Sequence, residues 1–227
     1  MKRIIENFDI AQICDSGQCF RMKQKEDGVY RIIAFGRYLE VEQKGRECIF
    51  HCQEAEFEEF WKTYFDLDED YAAYIGQIHP NDEYLREAAA FGCGIRILRQ
   101  DLWEMLVTSL ITQQNNIVRI RRCIGNICEK YGEERKNFRG EAYRVFPTPK
   151  SMAGLDEDAL KDCNLGYRSK YVVRAARHVT EGKIDLEAIR RMPYKKAKEA
   201  LLQIFGVGDK GQTVSAFSGF ITCRLFP

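Results

Sequence analysis

The stretch Leu201-Leu-Gln-Ile-Phe-Gly-Val-Gly-Asp-Lys210 holds the residue types best suited to chemistry in this chain, with an aliphatic helix running into Gly206-Val207-Gly208 and then Lys210. Two glycines permit a tight turn at positive φ. They also leave backbone N–H groups uncovered, so that a phosphate oxygen can lie against the main chain at the start of a following helix. A lysine placed there faces the same strand. Once partly desolvated and deprotonated, its amine can attack a sugar C1′ and form a Schiff base. Taken alone, the same residues also describe a glycine helix stop followed by a solvated lysine, so the rest of the chain has to decide.

The elements that must hold these groups fall into two styles. Between Arg21 and Cys52, short segments rich in β-branched and aromatic residues (29–35, 38–41 and 48–52) alternate with turns at Asp27-Gly28, Gly36-Arg37 and Lys44-Gly45, which predicts an antiparallel sheet. Helical patterning follows over 54–64 and over 81–91, the latter with a polar cap and Gly92 after its end. From Leu102 onward only helices are expected. Ile117, Ile120, Ile124, Ile127, Cys128 and Tyr131 fall on one stripe that Asn115 or Asn116 can cap and Gly132 can end. Phe146-Pro-Thr-Pro149 reads as a connector, and 153–161, 167–180, 186–191 and 194–204 read as further helices. The expected fold class is α+β, with a small antiparallel β-sheet domain over 1–92 followed by an all-α domain over 93–227.

Composition sets the outer bounds. The chain has 227 residues, 45% hydrophobic and 30% charged, with no apolar run long enough to cross a bilayer and no charged-then-apolar leader at its start. A cytoplasmic monomer is expected. The net charge of +1 gives no global attraction to a polyanion, so a nucleic-acid surface must come from local clusters such as Arg119, Arg121 and Arg122, or Arg168, Lys170, Arg174 and Arg177. A third cluster, Arg190 to Lys198, also suits a solvated helix face. The nine cysteines are odd in number and show no zinc-knuckle spacing, so they read as reduced thiols, and no metal or cofactor is expected.

Four ordered stretches resemble the 8-oxoguanine DNA glycosylase family, a branch of the helix-hairpin-helix glycosylase/lyase superfamily. Asp15-Ser-Gly-Gln-Cys-Phe-Arg21 is similar to the family's Ser-Gly-Gln-x-Phe-Arg signature, and Tyr64-Phe-Asp-Leu-Asp68 to the end of its N-terminal module. Leu98-Arg-Gln-Asp101 and then Thr112-Gln-Gln-Asn-Asn-Ile-Val-Arg-Ile120 resemble its asparagine-rich junction, and Leu165-Gly-Tyr-Arg-Ser-Lys-Tyr171 its Leu-Gly-Tyr-Arg-x-x-Tyr run. The hairpin follows, and the likeness covers nearly the whole chain.

The resemblance implies a helix-hairpin-helix glycosylase domain, damaged double-stranded DNA as partner, and base-excision repair with Lys210 as the catalytic nucleophile. An enzyme that acts on a base in a duplex must flip it out, plug the hole and hold the orphaned partner. Tyr167 suits the wedge and Gln114 the plug, since a ring can enter between base steps and an amide can hydrogen-bond in the vacated space. Without Gly166 and Arg168 on either side, Tyr167 would read as a packed core tyrosine. The resemblance assigns Arg119 and Arg168 to the estranged cytosine, Gly206, Val207, Gly208, Asn115 and Asn116 to DNA contacts, and Gly17 with Gln18 to the damaged-base pocket. A carbonyl there separates a lesion protonated at N7 from guanine, whose N7 is an acceptor. Gln114 stands where the family usually has asparagine.

After Lys210 the chain departs from the family pattern: Gly211-Gln-Thr-Val-Ser-Ala-Phe217 replaces a helix, and the expected carboxylate further on is missing. Deleting one nucleotide from codons for the family's helix yields residues 211–217, so a frameshifted, truncated tail is expected, with natural divergence as the other account. The alternatives to a glycosylase/lyase are a catalytically impaired DNA-binding remnant and a hydrolytic alkyladenine-type glycosylase. Lys210 speaks against the latter.

Overall fold

The computed structural model describes residues 1–207; Gly208, Lys210 and the tail after it lie outside the described residues. The chain divides into two compact units, Met1–Ile33 with Arg37–Arg99, and Ala34–Gly36 with the chain from Gln100 onward.

In the first unit, Asp9 caps α1 (Ile10–Asp15) by accepting from the amides of Ala11 and Gln12, which fixes the helix so that Ile10, Ile13 and Cys14 are buried. The strands β1 (Lys2–Ile4), β2 (Met22–Glu26), β3 (Val29–Ala34), β4 (Arg37–Lys44) and β5 (Glu47–Phe50) form one sheet in the order β1-β5-β4-β3-β2. Strand β1 was not apparent from sequence, because Lys2-Arg3-Ile4 is too short to show alternation. It forms by pairing antiparallel with β5, Lys2 opposite Ile49. The expected helix over 54–64 is continuous, α2 (Glu54–Glu56) and α3 (Lys62–Tyr64) being joined by a π-helical turn at Phe57–Trp61. It buries Phe57, Trp61 and Tyr64, with Phe50 and Phe65 among the largest enclosed side chains. Then come α4 (Tyr71–Gly76) and α5 (Glu83–Phe91), whose cap is Asp82.

The second unit is mainly helical. Asp101 caps α6 (Leu102–Thr112), which buries Leu106, Val107, Leu110 and Ile111. Asn116 caps α7 (Ile117–Tyr131) and Gly132 ends it, and the helix buries Ile120, Cys123, Ile124, Ile127 and Cys128. Ile117, placed on that stripe by sequence, is 51% exposed instead. Two expectations need correction. A small hairpin, β6 (Glu134–Lys136) with β7 (Ala142–Arg144), interrupts the helices. Its strands are mostly charged or polar and carry no β-branched residue, so only the turn holds a signal: Asn137 accepts from the amides of Arg139 and Glu141. The helix expected over 153–161 ends before it begins. Thr148 caps α8 (Pro149–Ala153), Gly154 stops it, and a 3₁₀ turn at Ala159–Cys163 follows. A second 3₁₀ turn, Gly166–Arg168, leads into α9 (Ser169–Thr180), and α10 (Leu186–Arg191) and α11 (Tyr194–Leu202) complete the described helices. No helix among the described residues is long and apolar enough to cross a membrane.

Candidate nucleic-acid interface

Three short connections of the second unit meet: the α6–α7 loop, the 3₁₀ turn before α9, and the turn after α11. Each is shaped by backbone that a helix cannot continue. Gln114 sits in the left-handed region at φ 48°, as do Asn164 at 66°, Gly166 at 57° and Gly206 at 95°.

Side chains then tie the three together. Arg168, only 4% exposed, donates from its guanidinium to the carbonyls of Gln113 and Gln114, the latter at 3.3 Å. Gln113 in turn donates from Nε2 to the Gly206 carbonyl at 2.5 Å. Thus one loop accepts from the 3₁₀ turn and donates to the hairpin turn. The Nε of Arg168 is buried without a hydrogen-bond partner among the described residues.

Tyr167 stands out from this cluster, 49% exposed, with the Arg168 guanidinium 4.6 Å from its ring centre and Tyr171 edge-on at 5.7 Å. Arg119 is exposed on α7, and its guanidinium makes a long hydrogen bond, 3.3 Å, to the Asn164 carbonyl and also reaches the Cys123 thiol. The two arginines are therefore in different states, Arg168 enclosed and Arg119 open to solvent. Cys123, which donates weakly to the same Asn164 carbonyl, is held above the ordinary thiol range by burial, against the opposing pull of Arg119 and Arg168.

Asn115 and Asn116 lie in the same loop with side chains already engaged. Asn115 donates to the Ile111 carbonyl at the end of α6 and accepts from the Asn116 amide, while Asn116 accepts from the Arg119 amide. They shape the loop and leave the N-terminus of α7 facing out, with the positive end of its dipole.

Of the remaining sequence-predicted positions, Gly206 and Val207 belong to this cluster, and Gly208 and Lys210 lie outside the described residues. Gly17 and Gln18 belong to the first unit. Gly17 has φ 79° with nothing within 4 Å of where a Cβ would be, so its approach side is open. Gln18 is held firmly, donating to the Arg96 carbonyl at 3.0 Å and accepting from the Leu98 amide at 3.1 Å. Arg96, buried, anchors that segment by donating to the carbonyls of Glu6, Asn7, Asp66 and Glu69. Sequence reasoning missed Gln113 and Tyr171 as site residues. Both lay inside the quoted stretches, but neither looks chemical until its neighbours are known. The second basic cluster is partly neutralised, since Arg174 forms a forked pair with Glu157 at 2.7 and 2.9 Å.

Residues 2–106 match the family described as the 8-oxoguanine DNA glycosylase N-terminal domain, and residues 107–216 the helix-hairpin-helix superfamily of base excision DNA repair proteins. The apo structure of Clostridium acetobutylicum 8-oxoguanine glycosylase/lyase superposes with a TM-score of 0.87 at 35% identity, over 97% of this chain and 75% of that one. The chain belongs to the 8-oxoguanine glycosylase/lyase family. The same Clostridium enzyme, in complex with double-stranded DNA containing cytosine opposite 8-oxoguanine, matches with a TM-score of 0.89 at 35% identity, over 96% of this chain and 74% of that one. Among named relatives, a Saccharomyces cerevisiae N-glycosylase/DNA lyase is 33% identical over 128 residues, 52% of this chain and 34% of its own. A probable N-glycosylase/DNA lyase of Methanothermobacter thermautotrophicus is 28% identical over 225 residues, 90% of this chain and 66% of its own. The chain thus spans between a third and two thirds of the length of these two relatives.

Proposed function

We propose that this family member is a base-excision DNA glycosylase with abasic-site lyase activity that removes oxidised purine, 8-oxoguanine above all, from double-stranded DNA as a monomer. The observation that carries the reading is the convergence of an exposed ring (Tyr167), a loop amide at positive φ (Gln114), a solvent-facing arginine (Arg119) and a glycine turn (Gly206) on one region. These are the groups needed to wedge a base step, fill a vacated position, hold the estranged base and grip a phosphate. Asn115 and Asn116 support the loop, and Gly17 with Gln18 recognises the flipped base. The enzyme works on DNA in the cytoplasm, at the nucleoid.

Lys210 is the nucleophile. Its neutral amine attacks C1′, the C1′–N9 bond breaks, and the purine leaves with the bonding electrons and takes up a proton. The attached nitrogen gives up one proton, its lone pair then forms C1′=N⁺ as the C1′–O4′ bond breaks, and O4′ takes up a proton, leaving an iminium that keeps one N–H. Removal of a C2′ proton then expels the 3′ phosphate oxygen, which is β-elimination. An amine supplies all of this, so no metal or cofactor has a part in the scheme.

The test uses the chain continued after Lys210 in the family frame, given duplex DNA with 8-oxoguanine opposite cytosine and reduced with borohydride. A covalent adduct is expected, and Lys210→Gln abolishes it while keeping most of the binding, because it removes the nucleophile and only one positive charge. An undiminished adduct in Lys210→Gln refutes the assignment.

A further inference from the structure

Tyr171 sits in the first turn of α9, and none of the roles above uses it. Its ring meets Tyr167 edge-on at 5.7 Å and Phe205 edge-on at 5.2 Å. It also lies close against Gly206, since a Cβ added to Gly206 would stand 2.7 Å from the ring carbon Cγ and 2.8 Å from Cδ2. Gly206 is tethered a second time through its carbonyl, which accepts from Gln113. One ring therefore touches the turn proposed to hold phosphate and the side chain proposed to enter the base stack.

We propose that Tyr171 is a positioning residue that couples the Gly206 turn to the Tyr167 wedge, so that the two engage one duplex together. This rests on the reading given under Proposed function. The physical basis is the stiffness of close packing: a ring wedged between two edge-on rings and a main chain cannot tilt without displacing one of them. The contacts are made by the ring and not by the phenol oxygen. Phenylalanine should therefore replace it and leucine should not.

The experiment has a free-protein arm and a DNA arm, both on the full chain. In the free protein, the ring resonances of Tyr167 are followed by NMR. Gly206→Ala pushes on Tyr171 and is expected to shift them, as is Tyr171→Leu, while Tyr171→Phe leaves them near their original positions. In the DNA arm, the probe is a duplex with a tetrahydrofuran abasic analogue opposite cytosine and 2-aminopurine beside it, whose fluorescence rises when its stacking is broken. Tyr171→Leu is expected to weaken binding about tenfold, the size of losing two edge-on contacts, and at saturation to give less than half the brightening of the unaltered chain. Tyr171→Phe restores both. Thermal melts confirm that each variant is folded.

Tyr167 resonances that ignore Gly206→Ala in a folded variant overturn the coupling, as does a leucine variant that binds and brightens fully. If the unaltered chain neither binds nor brightens the probe while Tyr167 still answers Gly206→Ala, the functional reading falls and the coupling stands.

Discussion

Arg168 and Arg119 should respond to truncation differently, although the family resemblance assigns both to the orphaned cytosine. Arg168→Ala removes a buried guanidinium that donates to the carbonyls of Gln113 and Gln114 and lies over the Tyr167 ring. Hydrogen bonds from a charged donor contribute about 1.5–3 kcal/mol each, and a cation over a ring about 0.5–2 kcal/mol, the upper end when it is desolvated. Part of this is offset, because the buried Nε has no partner and its desolvation, about 1–3 kcal/mol, is relieved by deletion. The net loss is about 3 kcal/mol, which for a chain of this size lowers the melting temperature by roughly 6–12 °C. Arg119→Ala loses a long bond to the Asn164 carbonyl, at 3.3 Å, and a weak one to the Cys123 thiol, and should melt within about 0.5 kcal/mol of the parent. In binding, both variants lose. Arg119→Ala should weaken the complex with cytosine opposite the lesion by about 1–3 kcal/mol, the worth of a forked contact to a base, and spare the complex with adenine there. Arg168→Ala should also reduce discrimination for cytosine, but on top of a loss common to both duplexes, because the loop carrying Gln114 is released. Thermal melts and competition binding with the two duplexes decide the matter. An Arg168→Ala variant that melts with the parent refutes the view that Arg168 braces the loop, and equal losses on both duplexes for Arg119→Ala mean that it touches only phosphate.

Three other outcomes follow from the geometry. Gly206→Ala must place an L-residue at φ 95° and a Cβ 2.7 Å from Tyr171, so duplex binding should fall about tenfold or more, from a backbone cost of about 1–2 kcal/mol together with the clash; unchanged binding counts against the turn as a phosphate site. Asp101, the cap of α6, has a carboxyl raised above the ordinary range chiefly by burial. Its folded form therefore binds a proton more readily than its unfolded form, and its contribution is largest below the ordinary carboxylate pKa and shrinks as pH rises through the folded value. Asp101→Asn, which keeps a cap, should melt at or above the parent at neutral pH and lose that advantage on acidification, whereas Asp101→Ala should lose about 1 kcal/mol at acid pH and less as pH rises; a parent advantage that grows with rising pH contradicts this. Among the described thiols, exposed Cys93 should alkylate first and buried Cys48, pushed up to about 12 by desolvation, last, as read by mass spectrometry of partially labelled protein.

Local sequence determined β3 to β5 and most of the later helices, because these are written in neighbouring residues, but not β1, β2, α1, α4 or the β6–β7 hairpin. The turn glycines divide β3 to β5, Asn116 and Gly132 bound α7, and Asp185 caps α10. It also determined which side chains are suited to a duplex, since the Gln114, Tyr167 and Gly206 stretches carry distinctive residue types close together. What it did not contain was any partner more than a few positions away. Strand β1 exists only through β5, and the β6–β7 hairpin is held by pairing between strands of charged and polar residues that carry no pattern of their own. Gln113 and Tyr171 resemble ordinary neighbours of more interesting residues until folding brings together loops separated by 55 and 93 positions in the chain, with Arg168 donating to the Gln113 carbonyl and Gln113 to the Gly206 carbonyl. Whether an arginine faces water or the protein is decided in the same way. Arg119 lies on the polar face of a helix, while Arg168 follows a left-handed glycine and a ring and is turned inward, to two carbonyls left without helical partners where α6 ends.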